Sequence, residues 1–162
     1  MPTVHLIHGF IGNGKTTFSR ELEIVSGAVR LSPDEVMTAR YGADPPASRF
    51  KRCLRAVMKA LDRKWTRIIR EGKSVILDYG FWTRKQRNRF RKMAANLGAD
   101  TVLYDVRCGE RTALRRVHAR NRDTAGSLYI SDNTFRILKK DFEPVRAGEK
   151  AVTIRTGGRR LR

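Results

Sequence analysis

Strand-length and helix-length segments alternate along this chain and predict an α/β fold, a parallel sheet covered by helices on both faces. Three observations carry the expectation. Short apolar runs recur at 4–8, 28–31, 74–78, 101–106 and 151–154. Between them, apolar residues fall three and four apart, as helices that bury one side require. A glycine-rich turn, Gly9-Phe10-Ile11-Gly12-Asn13-Gly14-Lys15-Thr16-Thr17, joins the first run to the first helical stretch.

Taken in order, Val4-His5-Leu6-Ile7-His8 is the first strand and 9–14 a loop. A helix over 15–25 follows, with Phe18, Leu22 and Val25 as its apolar stripe. After strand 28–31, Ser32-Pro33-Asp34-Glu35 reads as a helix start: Ser32 as N-cap, Pro33 in the first turn, and two acids facing the positive end of the dipole. That helix runs over 34–40. Asp44-Pro45-Pro46 breaks the chain before a long helix at 47–71, whose Phe50, Cys53, Leu54, Val57, Met58, Leu61, Trp65, Ile68 and Ile69 form a core-facing stripe. Strand 74–78 ends in Asp78. Thr83 then caps a helix over 83–97 that presents Arg84, Arg87 and Arg91 at helical spacing. Strand 101–106, helices 110–121 and 132–140, and strand 151–154 complete one domain over 1–155. Residues from about 116 to 131 form a small lid, and 156–162 a basic tail.

The chain has 162 residues, enough for one domain with a full core. No stretch approaches the roughly 18 apolar residues of a membrane span, and no apolar leader stands at the N-terminus, so no membrane association and a cytoplasmic location are expected. Cys53 falls on an apolar helix face and reads as a buried thiol, and neither it nor Cys108 has metal spacing. Lys and Arg total 35 against 16 acids, a formal charge of +19. A triphosphate site needs only about three to five cations. The surplus is either a compositional excess on solvated faces or a surface for a polyanion such as nucleic acid. Helix 47–71 concentrates it: Arg49, Lys51, Arg52, Arg55, Lys59, Arg63, Lys64, Arg67 and Arg70 share its polar side with only Asp62 and Glu71.

The turn at 9–17 has the spacing Gly-x-x-x-x-Gly-Lys-Thr between a strand and a helix, which makes it a triphosphate-binding loop. Gly9, Gly12 and Gly14 let the backbone of the loop, with Asn13, approach the phosphates. Lys15 reaches the β- and γ-phosphates, Thr16 is placed for Mg²⁺, and Thr17 continues into the first helical turn. Asp34 follows the second strand, beside the loop, where it is a candidate base for an acceptor hydroxyl as well as a dipole partner. Asp78, closing an apolar strand, is the candidate second metal ligand. Tyr79, Phe81 and Trp82 either stack on a planar acceptor or pack as core. Arg116 and Arg120 lie four apart on one helix face ahead of a polar loop, as arginines closing over a transferring phosphoryl group would. His5, His8 and His118 show no metal spacing.

Together these segments resemble small P-loop kinases related to polynucleotide kinase, zeta-toxin kinases and chloramphenicol phosphotransferase, and especially short bacterial proteins described as ATP-binding or AAA-type ATPases. The likeness rests on 8–17, Leu31 to Glu35, Leu77 to Arg84, Arg116 to Asn121, Phe142-Glu143-Pro144 and Glu149, in order along nearly the whole chain. It implies the P-loop kinase fold with strand order 2-3-1-4-5, a helical lid, Mg-ATP as donor, and Asp34 as base. Where the polynucleotide kinase pattern has an arginine three residues after that Asp, this chain has Met37, with Arg40 one turn later. Three activities follow as expectations. The first is a kinase of a small-molecule hydroxyl, the second a kinase of polynucleotide 5′-hydroxyls, and the third a nucleic-acid-binding ATPase. The acceptor, the purine preference and the oligomeric state stay open.

Overall fold

A computed structural model describes residues 1–42, 45–123 and 129–157. Five parallel strands form one sheet in the order β2-β3-β1-β4-β5. They are β1 Thr3–His8, β2 Val29–Leu31, β3 Val75–Gly80, β4 Asp100–Arg107 and β5 Ala151–Arg155. Six helices connect or flank them: α1 Lys15–Ser26, α2 Pro33–Tyr41, α3 Ala47–Arg70, α4 Arg84–Asn96, α5 Glu110–Arg122 and α6 Asp132–Lys139. The α/β fold and the strand order match the expectation, and every boundary falls within a few residues of it.

Strands of a parallel sheet are buried on both sides and read as continuous apolar runs. Alternation still decides which residue meets which layer. Val4, Leu6, Val75, Leu77 and Leu103 point to the layer of α3 and α4, where they meet Val57, Leu61, Trp65 and Phe90. Ile7, Ile76 and Val106 point the other way, toward Phe18 and Leu22 of α1. The stripe predicted for α3 is the buried one, with Trp65 and Val57 at 0% exposure. The stripe predicted for α1 is shorter than expected. Val25 is 85% exposed, as is its neighbour Ile24 at 83%.

Expected caps are present. Ser32 accepts from the N–H of Glu35 (3.4 Å) with Pro33 in the first turn of α2, and Thr83 accepts from Gln86 (3.2 Å) at α4. Of the break expected at 44–46, Asp44 lies outside the described residues. So do 124–128 of the expected lid and 158–162 of the expected tail. No helix among the described residues is long and apolar enough to cross a membrane.

Candidate active site

Parallel topology brings the carboxyl ends of all strands to one edge of the sheet, and loops there form the ligand-binding crevice of such folds. The loop after β1 lies on this edge. Gly12 and Gly14 have φ of +80° and +92°, left-handed values that an L side chain rarely adopts. A Cβ on Gly12 would stand 2.6 Å from the carbonyl oxygen of Ala113, a backbone atom of α5. Gly12→Ala is therefore expected to cost at least about 2 kcal/mol and to push the loop away from α5. Thermal melts together with nucleotide titrations check this.

Phe10 anchors the loop from below. It is 4% exposed and packs against Trp82, Phe135 and Phe142 with ring centroids 4.9–5.3 Å apart. The loop's outer turn is braced by neighbours from β4, α5 and the end of β5. Asn13 Nδ2 donates to Val106 O (3.0 Å), and Cys108 Sγ lies 3.5 Å from Asn13 Oδ1. Thr156 Oγ1 donates to Asn13 O (2.6 Å). Arg116 Nη1 donates to Gly12 O (3.0 Å) and to Thr156 Oγ1 (2.9 Å). Thr156, assigned to the tail by sequence, is thus part of the loop's support.

Inside the loop, α1 begins at Gly14 with no side-chain cap and no acid in its first turn. The N–H groups of Gly14, Lys15 and Thr16 have no backbone acceptor among the described residues. Lys15 Nζ donates to Phe10 O at 2.9 Å. Burial pushes its ammonium below the ordinary lysine value, and the charges of Asp78 and Asp34 pull the other way. Thr16 and Thr17 are exposed beside it.

Asp34 stands at the N-terminal turn of α2, exposed as a residue, with its carboxyl in the field of Lys15, Asp78 and Arg120. Burial and then the charge of Asp78 raise it above the ordinary carboxylate value, against the opposing pull of Lys15 and Arg120. The charge of Arg120 bears on both Lys15 and Asp34. Arg116, one turn earlier on the same helix, is engaged on the loop's outer side instead.

Asp78 is 9% exposed and sits two residues before the end of β3. Its Oδ2 accepts from Ser19 Oγ (2.8 Å) and Arg30 Nη2 (3.1 Å), while Oδ1 accepts nothing among the described residues. Arg30 also reaches Ser19 Oγ through Nε (2.8 Å) and both oxygens of Glu35 (3.1 and 2.8 Å). Glu35 is held below its ordinary value by the hydrogen bond from Arg30. Sequence reasoning did not see Arg30 or Ser19 in the site. The only available signal was Arg30's place in β2, one residue before the strand ends. No group of three or more His, Cys, Asp and Glu is placed to hold a metal among the described residues. A divalent ion there would rest on the Thr16 hydroxyl, the open oxygen of Asp78 and phosphate oxygens. These are hard donors of the few-carboxylate kind that suits Mg²⁺.

The aromatic residues after β3 resolve as core. Phe81 is 0% exposed and packs on Tyr79 and Phe90, and Trp82 meets Phe10. Phe81 has φ +46°, and its carbonyl accepts from His8 Nδ1 (3.0 Å) and Arg87 Nη1 (3.0 Å). Arg87 is itself 0% exposed, paired through Nε and Nη2 with both oxygens of Glu149 at 2.7 Å. Of the three arginines expected to present one basic face on α4, Arg87 is therefore a structural residue. Burial lowers His8, whose Nε2 lies 3.7 Å from Asp105 Oδ1.

Strand order, loop and acid placement together define a phosphate-loop α/β protein with the P-loop kinase architecture. The chain belongs to the AAA domain family, whose model matches residues 4–145. Several solved structures share the fold. A candidate kinase from Chloroflexus aurantiacus is 18% identical with a TM-score of 0.76, over 96% of this chain and 85% of that one. Kti12 from Chaetomium thermophilum, solved in complex with ADP-AlF3, is 19% identical with a TM-score of 0.68, over 94% and 89%. A gluconokinase from Sinorhizobium meliloti is 14% identical with a TM-score of 0.61, over 95% and 82%. No curated protein matches the chain by sequence.

Proposed function

We propose that this protein is a Mg-ATP-dependent phosphotransferase that moves the γ-phosphoryl group to an alcohol, with a small molecule as acceptor. One observation carries the reading. Among the described residues the amides of Gly14, Lys15 and Thr16 stand open at the start of α1, and Asp78, with one oxygen free, is bonded to that same helix through Ser19 Oγ at 2.8 Å. The amides and Lys15 hold the phosphates, which need many donors and one mobile cation. Thr16 and Asp78 would hold Mg²⁺, which screens phosphate charge when bound. Asp34 accepts the proton of the attacking hydroxyl. Its raised carboxyl is a stronger base than an ordinary aspartate, as that role demands. Arg120 stabilises charge on the transferring group, and Arg116 holds the loop in shape rather than reaching the reaction. Arg30 is a positioning residue that orients Asp78.

The small-molecule reading is preferred to a polynucleotide 5′-hydroxyl because Met37 is a core residue at 6% exposure and brings no charge toward Asp34. The solved relatives include a gluconokinase, whose named acceptor is a small polyol acid.

Asp34→Asn is expected to lower transfer by roughly 10²- to 10⁴-fold, the range of a lost general base, with ATP affinity unchanged. Transfer of label from γ-labelled ATP into fractionated cell extract reads it, with Lys15→Ala as the blank. Equal turnover in Asp34→Asn would remove Asp34 as base. Free phosphate as the sole product would make the protein an ATPase.

A further inference from the structure

We propose that the outer face of α3 is a docking surface for the phosphate backbone of a double-stranded nucleic acid. It is separate from the triphosphate loop and independent of the phosphotransfer reading. Arg52, Arg55, Lys59, Arg63, Arg67 and Arg70 follow one another at intervals of three or four residues, so at 100° per residue they share one arc of the helix surface. All six are exposed. At 1.5 Å per residue the ridge is about 27 Å long, with a cation every 5 Å or so.

An ordinary solvated helix places acids among its bases, so that neighbouring turns attract. Here only two acids accompany the bases, and both are already engaged. Asp62 pairs with Arg89 of α4 at 3.3 Å, and Glu71 lies 3.8 Å from Arg67. The other five form no ion pair with any described acid. Such a ridge repels itself and gathers mobile counterions, which a polyanion would release on binding. It also has depth. Arg55, Lys59, Arg63 and Arg89 line a groove of about 500 Å³ between α3 and α4, together with Asp62 (paired with Arg89), Met58 and Met93.

The same face argues for the form of the partner. None of the large apolar residues that stand exposed on this protein belongs to α3 or α4. Single strands bind by stacking bases on aromatics, and membrane-surface helices insert apolar side chains below the headgroups. This face exposes no aromatic ring, and Met58 and Met93 in its groove are only partly exposed. A rigid rod of long cationic side chains instead matches fixed phosphates, contacted without reading bases. The chain leaves α3 for the start of β3, so Arg70 lies at the sheet edge opposite the loop and Arg52 toward it.

The test is anisotropy of a labelled 24-bp duplex, as DNA and as RNA, on the full chain across a salt series. With six phosphates neutralised, log K should fall against log salt with a slope of about −5. The variant R52Q/K59Q/R63Q/R70Q should lose about four from that slope. R111Q/R115Q, exposed on α5, and Lys15→Ala should keep the slope of the parent. Retention of Lys15→Ala binding separates this surface from the nucleotide site. A slope shallower than about −2, unchanged binding in the quadruple variant, tighter binding of a single strand, or capture by anionic vesicles without duplex binding would each overturn the proposal. Should the quadruple variant fail to fold, the slope of the parent chain decides alone. Whether DNA or RNA binds more tightly identifies the source of the phosphates.

Discussion

Lys15→Ala is expected to abolish phosphoryl transfer, with a loss on the order of 10³-fold, in a protein that still melts like its parent. Lys15 Nζ has one hydrogen bond, to Phe10 O at 2.9 Å, and its ammonium is held against a burial cost by Asp34 and Asp78. Removing it takes away only a short aliphatic stem lying against Gly9. On the proposed reading, what is lost is a mobile cation that would follow the β- and γ-phosphates as charge develops between them. Nucleotide titration, label transfer and a melting curve on the same preparation separate these effects. Transfer within about tenfold of the parent would remove Lys15 from the reaction.

The second large effect falls on stability. Arg87→Ala is expected to cost about 3 kcal/mol, because it leaves Glu149 buried and charged with only Arg91 at 3.5 Å and the N–H of Arg146 to hold it. Glu149 is 5% exposed, and the Arg87 hydrogen bonds hold its carboxyl at about 2, well below the ordinary 4.5. A depressed carboxylate contributes stability that is fully present above its unfolded value and is lost as pH falls through the folded one. The window is therefore from about pH 4.5 down to about pH 2, over which this group alone is worth about 3 kcal/mol. Urea melts from pH 7 to pH 2.5 should show that decline in the parent chain and a shallower one in Glu149→Gln. An equal slope in both would assign the acid sensitivity to other carboxylates.

Local pattern carried most of the fold. The period of α3, the caps at Ser32 and Thr83 and the loop between β1 and α1 are all set by neighbours within about four residues, where sequence is informative. The misreadings share a cause. Arg87 looks like Arg84 and Arg91 along the helix, and only Glu149, 62 residues away, makes it a core residue. Arg116 and Arg120 look equivalent on their helix until Thr156, 40 residues on, claims one of them. Arg30 sits in an ordinary strand until Ser19, Glu35 and Asp78 converge on it. Val25 fits its helical stripe yet stands exposed. For the arginines the deciding partners include residues far along the chain, so local surroundings alone do not show their roles.

Thr156 ties the loop to the end of β5. Its hydroxyl bonds Asn13 O across 143 residues, and its N–H extends the ladder to Arg107 O at 2.8 Å. The turn after β1 is therefore shaped in part by the strand farthest from it in the chain, and β5 and the loop share one brace. Loosening the end of β5 frees Asn13 O and unties Arg116 from Thr156 without touching a glycine or Lys15.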